Sequence, residues 1–173
     1  MPQKEVRKLI GQERSVLMVC TANRVRSPMA EALLKALVAA DSPDDAWRIE
    51  SAGTWAVEGL PPMPRTEAVM AERGIDISAH ASQPIEECDM ASFNLVLVME
   101  KGHREAVVRE FPEMAGRVYL ISEMAGMNDE VHDPVAGTLA DYRRTADELQ
   151  RILEAGMSRI RQLAAQPEDA DAG

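Results

Sequence analysis

A doubly wound α/β fold built on a mostly parallel sheet is predicted by two features of the chain. Four short strand-like runs, at residues 16–19, 47–51, 94–99 and 117–122, alternate with segments whose apolar residues recur at helical spacing. The third run, Leu95-Val96-Leu97-Val98-Met99 after Asn94, is continuously apolar, the pattern of a strand covered on both faces. At 173 residues and 46% hydrophobic content the chain suits a single domain with a sizeable core. With aromatics at 3%, that core has to be made of Leu, Val, Ile, Ala and Met.

The elements follow in order. Val16-Leu17-Met18-Val19 reads as a buried strand ending at Cys20. A short loop leads to Ser27-Pro28, where Ser27 is a preferred N-cap type and Pro28 suits a first turn that does not need its amide. Leu33, Leu34, Leu37 and Val38 continue that helix to Ala40, and Asp41-Ser42-Pro43-Asp44-Asp45 breaks it. Trp47 to Ser51 forms a second strand, and the Gly- and Pro-rich stretch from Ala52 to Pro64 is a loop long enough to carry function. A helix from Arg65 to Arg73 closes on Gly74, the usual C′ residue. Pro84 to Ser92 reads as a short helix before the third strand, Glu100 to Phe111 as a helix stopped by Pro112, and Arg117 to Ser122 as the fourth strand. Thr138 with Asp141 three residues on resembles a capping box and opens a last helix to about Leu163. Residues 1–13 read as an N-terminal extension, 14–163 as the one domain, and 164–173 as a disordered acidic tail.

Composition excludes several function classes. A formal net charge of −10 opposes binding to nucleic acid or to an anionic membrane surface. The charged start lacks the apolar core of a signal peptide, and no apolar segment is long enough to span a bilayer. Cys20 and Cys88 make neither a disulfide scaffold nor a metal cluster, so no metal or other cofactor is expected and a reducing cytoplasm is the natural compartment.

Chemistry concentrates at residues 20–28. A cysteine at a strand's carboxyl end lies beside a loop of backbone N–H groups, a helix N-terminus and Arg26. Amide donors, the positive end of the helix dipole and a guanidinium fork together make a site for a tetrahedral anion. The same field favours a thiolate, so Cys20 becomes a nucleophile held against the anion it would attack. Cys-x5-Arg by itself is a common accident; the order strand, cysteine, loop, arginine, Ser-Pro, helix is what carries the reading, and it points to phosphate-ester hydrolysis.

At these residues the chain resembles the low-molecular-weight protein tyrosine phosphatase family. Cys20-Thr21-Ala22-Asn23-Arg24-Val25-Arg26-Ser27 matches its Cys-x5-Arg-Ser phosphate-binding loop. Pro28-Met29-Ala30-Glu31, Ser51-Ala52-Gly53, Gly74-Ile75-Asp76-Ile77-Ser78 with His80, and Asp133-Pro134 with Gly137 extend the match over roughly residues 14–160. The resemblance implies a four-stranded parallel sheet with helices on both faces, and hydrolysis of protein phosphotyrosine through a cysteinyl-phosphate intermediate. It implies Cys20 as nucleophile, Arg26 as the bidentate phosphoryl ligand, Ser27 as a hydrogen-bond donor to the sulfur, and Asp133 as general acid and then base. Asn23, Ser51 and His80 match residues that brace the loop. Without the resemblance, Asp133 before proline is an ordinary turn residue, Ser51 a strand end and His80 a surface histidine.

Several positions depart from the family. Ala22 stands where glycine is common, a source of strain if that residue needs φ > 0. Val25 replaces a second cysteine that in many members traps the oxidised nucleophile. Val135 and Ala136 replace tyrosines found after Asp-Pro in some members, and Trp55 is the candidate to supply an aromatic substrate wall instead. The nearest rival is the protein arginine phosphatase branch, which shares Cys20-Thr21 but carries a threonine where Arg24 stands; a cation there disfavours a guanidinium substrate and ranks phosphotyrosine first. Arsenate reduction on this scaffold needs two further cysteines, and a non-catalytic phosphate-binding module would not need Asp133. The expected partners are phosphorylated proteins, with the oligomeric state left open.

Overall fold

In the computed structural model, which describes residues 13–165, four parallel strands lie in the order β2-β1-β3-β4. They are β1 (Arg14–Cys20), β2 (Trp47–Gly53), β3 (Leu95–Val98) and β4 (Val118–Leu120). The helices are α1 (Arg26–Asp41), α2 (Pro64–Glu72), α3 (Lys101–Glu110) and α4 (Leu139–Ala164). The expected N-terminal extension and acidic tail lie outside the described residues, apart from Glu13, Ala164 and Ala165. Ala164 belongs to α4 rather than to a tail: it is fully buried, and its carbonyl accepts from Asn94 Nδ2 at 2.8 Å.

Alternation along the strands builds two cores. Val16, Met18 and Cys20 of β1, with Leu95 and Leu97 of β3, face the layer of α1 and α4. Leu17 and Val19, with Val96, Val98, Val118 and Leu120, face α3 and the 3-10 turns. Both faces are therefore covered, as the continuously apolar β3 predicts. α4 carries the strongest apolar stripe, and Gly156 lets it approach closely, since a Cβ there would lie 2.7 Å from Met124 Cβ.

Local differences from the sequence expectation have local causes. Pro84–Ser92 is not one helix but two 3-10 turns, Ile85–Glu87 and Met90–Ser92, parted by extended backbone at Cys88. Pro112 does more than end α3: it opens a 3-10 segment, Pro112–Arg117, because its fixed φ suits a first turn. The fourth strand shortens to three residues and gives way to 3-10 geometry over Ile121–Ala125. β2 runs two residues further than expected, to Gly53, which pairs with Cys20. Gly74 does hold the left-handed turn after α2, at φ 75°, and Thr138 and Asp141 form the capping box of α4.

Strand order places the site. The chain passes from β1 to β2 on one side and returns across β1 to β3 on the other, so the connections diverge at β1/β3. In a doubly wound sheet the ligand crevice lies outside the carboxyl ends of strands at such a point. The segments meeting there are those after Cys20 and after Val98.

Candidate active site

β1 delivers Cys20 to the sheet edge, and α1 starts at Arg26, leaving a five-residue loop between them. The first N–H groups of α1 have no intrahelical carbonyl, and the dipole adds positive potential. The loop is held down by an extension of the β1–β2 ladder: Thr54 N donates to Cys20 O and Trp55 N to Thr21 O, both at 2.9 Å. Gly53 is required beneath it, because a Cβ there would stand 2.4 Å from Thr21 O. Strain at Ala22 does not arise. The left-handed residue is Asn23, at φ 57°, the one non-glycine with positive φ among the described residues, and asparagine tolerates that conformation. Ala22 itself is exposed.

Asn23 is fully buried and every polar atom of its side chain is used. Its Nδ2 donates to Ser27 Oγ at 2.8 Å and to Ser51 Oγ at 2.9 Å, and its Oδ1 accepts from Gln83 N at 3.0 Å. Its backbone carbonyl lies 2.8 Å from His80 Nε2. The structure thus brings Asn23, Ser27, Ser51 and His80 together. Gln83 joins them, its Nε2 donating to Ser51 O at 2.9 Å; no local pattern around Gln83 announces this. Ser27 is not the N-cap. Val25 holds that position without a side-chain cap, and Ser27 Oγ instead lies 2.9 Å from Cys20 Sγ. With Asn23 donating to it, the serine hydroxyl can offer its own proton to the sulfur at 2.9 Å, with Ala52 O a more distant acceptor at 3.4 Å.

Cys20 is 3% exposed and Arg26 is 1% exposed. A guanidinium taken out of water costs several kcal/mol unless it is paired and hydrogen-bonded, and Arg26 has four partners. Nη1 donates to Val131 O at 2.7 Å and lies 3.2 Å from Glu100 Oε2. Nη2 reaches Thr21 Oγ1 and Asp133 Oδ2, each at 3.5 Å. Asp133 is brought to the crevice by a turn whose own bonds fix it. Its Oδ1 accepts from Val135 N at 3.1 Å, Gly137 N donates to Pro134 O at 2.7 Å, and Tyr142 of α4 donates its hydroxyl to Val135 O at 3.3 Å. Burial, with Asp133 nearby, raises the pKa of that tyrosine, so it stays a donor at neutral pH.

The segment after β3 contributes Glu100 and His103, neither evident from sequence. Glu100 caps α3 and is itself capped by His103, whose Nδ1 accepts from Glu100 N at 3.1 Å. His103 Nε2 meets Thr21 Oγ1 at 2.8 Å. The histidine pKa falls to about 4, chiefly through burial and then through the Arg26 charge. The ring is therefore neutral at physiological pH.

The remaining expected positions sit at the rim or below it. Arg24 is half-buried, with Nε donating to Pro61 O at 2.8 Å; its carbonyl accepts from Met63 N at 3.0 Å and Thr66 Oγ1 at 3.1 Å. Trp55 is 84% exposed and Val135 44% exposed, both on segments that adjoin the crevice. Val25 packs into the core and offers no thiol beside Arg26. Cys88 is half-buried among Glu50, Glu86 and Glu87, and burial followed by those charges pushes its thiol up to about 11. Among the described residues no group of three or more His, Cys, Asp or Glu is placed to hold a metal. No helix among them is long and apolar enough to cross a membrane.

A cysteine, a serine at its sulfur, a buried arginine and a carboxylate beside that arginine have the chemistry that covalent phosphoryl transfer requires. The family described as low molecular weight phosphotyrosine protein phosphatase matches residues 15–166. A probable low molecular weight protein-tyrosine-phosphatase of Ralstonia nicotianae is 33% identical over 150 residues, covering 87% of this chain and 98% of the relative. A protein-arginine-phosphatase of Bacillus subtilis is 33% identical over 152 residues, 87% of this chain and 95% of the relative. The crystal structure of a low molecular weight protein tyrosine phosphatase from T. tengcongensis superposes with a TM-score of 0.78 at 35% identity, covering 84% of this chain and 99% of that one. The chain belongs to the low molecular weight phosphotyrosine protein phosphatase family.

Proposed function

We propose that the protein hydrolyses phosphotyrosine in phosphorylated proteins through a cysteinyl-phosphate intermediate. The observation that carries this reading is the convergence on one crevice of Cys20 Sγ, 2.9 Å from Ser27 Oγ, with Arg26 Nη2, 3.5 Å from Asp133 Oδ2. Cys20 attacks phosphorus while the loop amides and Arg26 take the phosphoryl oxygens. Arg26 is anchored through Nη1 at 2.7 Å on Val131 O, whereas its Nη2 contacts are long, so the Nη2 side is the one that closes on the anion. Asp133 lies on that side and gives its proton to the leaving oxygen. The aspartate then takes a proton from the water that attacks the cysteinyl phosphate, Cys20 leaves, and the Ser27 hydroxyl supports the departing sulfur. Trp55 and Val135 supply apolar surface for the substrate's ring at the rim. The chemistry needs a reduced thiol, which fits a cytoplasmic enzyme.

A second reading, protein arginine phosphatase, is favoured by the similarity to the Bacillus subtilis enzyme of that name. The two are separated by metal-free hydrolysis of phosphotyrosine and phosphoarginine peptides side by side, in EDTA. Faster phosphotyrosine release is the expected result, and inactivity in EDTA would overturn the covalent mechanism. Arg24→Thr tests the basis of the choice: it is expected to raise the ratio of phosphoarginine to phosphotyrosine hydrolysis severalfold. A cation about 5 Å from a guanidinium substrate at an effective dielectric near 20 repels it by at most about 3 kcal/mol, and solvent reduces this. An unchanged ratio would mean that the Pro61 carbonyl holds Arg24 out of reach.

Arg26→Lys keeps the charge but replaces a planar fork with a point ammonium, which cannot make two parallel bonds to phosphoryl oxygens while also donating to Val131 O. A loss of about a hundredfold or more in kcat/KM is expected in steady-state assays. Wild-type rates would place the phosphate elsewhere.

A further inference from the structure

His103, in the first turn of α3, is 4% exposed and is hydrogen-bonded to the loop after β1 between Nε2 and Thr21 Oγ1, at 2.8 Å. The Glu100 amide donates to Nδ1 at 3.1 Å, so Nδ1 is the bare nitrogen and the ring proton sits on Nε2. Nε2–H therefore donates to the threonine oxygen, with Glu100 Oε2 a more distant neighbour at 3.4 Å. Arg26 Nη2 points a second donor at the same oxygen from 3.5 Å. A hydroxyl has two acceptor sites and one proton. The Nε2–H bond takes one acceptor site and Arg26 Nη2 lies toward the other, so the Thr21 proton is directed away from His103. Thr21 directly follows Cys20 in the loop that, on the phosphatase reading, takes the phosphoryl group.

We propose that His103 is a positioning residue for phosphoryl transfer, a neutral imidazole that holds the Thr21 hydroxyl as a proton donor toward the phosphoryl group and seats Arg26 beside it. The proposal rests on the phosphatase reading. It explains why a histidine is buried against a guanidinium. Burial and Arg26 keep the ring neutral, against the opposite pull of Glu100, Asp133 and Glu130. A protonated ring would carry donors on both nitrogens and turn one of them onto the Glu100 N–H. The signal is invisible in sequence because Thr21 and His103 are 82 residues apart.

The test is a double-mutant cycle in the full-length chain: His103→Ala, Thr21→Val and the pair, with His103→Gln as the conservative variant. Both kcat and KM are read on phosphotyrosine and phosphoarginine peptides, and the dissociation constant of inorganic phosphate by calorimetry. His103→Ala is expected to lower kcat about tenfold with a smaller change in KM, the effect of losing one buried hydrogen bond. His103→Gln recovers most of that loss, since its amide can donate to Thr21. The paired variant is no slower than Thr21→Val alone, because histidine acts through the threonine. Additive losses, or a glutamine variant as impaired as the alanine one, would overturn the proposal. A wild-type protein that hydrolyses neither peptide would overturn the phosphatase reading instead. The same cycle read in phosphate affinity then decides His103: coupling supports its role, and additivity overturns it.

Discussion

Replacing Cys20 with serine is expected to lower turnover by on the order of 10⁴-fold or more while inorganic phosphate continues to bind. The two effects separate because the residues that attack and the residues that bind are different. Serine is nearly isosteric with cysteine, so the loop keeps its ladder bonds to Thr54 and Trp55 and its Asn23 network. The amides and the Arg26 fork, the proposed source of affinity, are unchanged. What is lost is the nucleophile: Ser27, whose oxygen accepts from Asn23, offers the sulfur a hydrogen-bond donor, which stabilises a sulfur anion but cannot take a proton from a hydroxyl. Steady-state kinetics and calorimetric phosphate titration read the two quantities independently. Turnover near wild type would remove the covalent mechanism. A parallel loss of phosphate binding would show that the substitution had collapsed the loop, and the Asp133 variant below would then carry the test.

Asp133→Asn is expected to slow phosphotyrosine hydrolysis by about 10²- to 10⁴-fold, the usual contribution of a general acid, and an activated ester such as p-nitrophenyl phosphate far less. A phenolate of high pKa needs a proton as it departs, whereas p-nitrophenolate leaves without one. Asparagine preserves the turn, since its side-chain oxygen can still accept from Val135 N, and Tyr142 still holds the Val135 carbonyl. It also removes the negative charge beside Arg26, which if anything strengthens anion binding. The signature is therefore in the leaving-group dependence of kcat, with KM for either substrate unchanged or lower. Equal slowing of both esters would mean that Asp133 is not the acid, and Glu100, 3.2 Å from Arg26, would be the next carboxylate to test.

The sequence by itself determined the alternation of strands and helices, the two-sided burial of β3, and the local unit from Val16 to Pro28. That unit is legible because its parts are contiguous: a strand end, a short loop and a helix start bring Cys20, Asn23, Arg26 and Ser27 within one turn of chain, whatever the remainder does. Helix caps and turn residues such as Thr138 and Gly74 are legible for the same reason, since their partners lie within a few residues.

Tertiary structure decided the rest. Ser27 has the residue type of an N-cap, yet buried donors and the nearby sulfur claim its hydroxyl, which outweighs an exposed capping bond worth about 1 kcal/mol. Asn23, not Ala22, takes the left-handed backbone because Ser27, Ser51 and Gln83 fasten its amide there. Val131, Glu100, His103 and Tyr142 reach the crevice from other elements, and nothing in their immediate sequence distinguishes them from ordinary turn, cap and core residues. Glu100 and His103 meet the loop because the chain crosses back over β1, which lays the segments after β1 and β3 side by side at the strand ends, and Val131 is tied to the second of these through its N–H to Met99 O at 2.9 Å. A buried guanidinium and a buried asparagine must then find partners in whatever lies opposite.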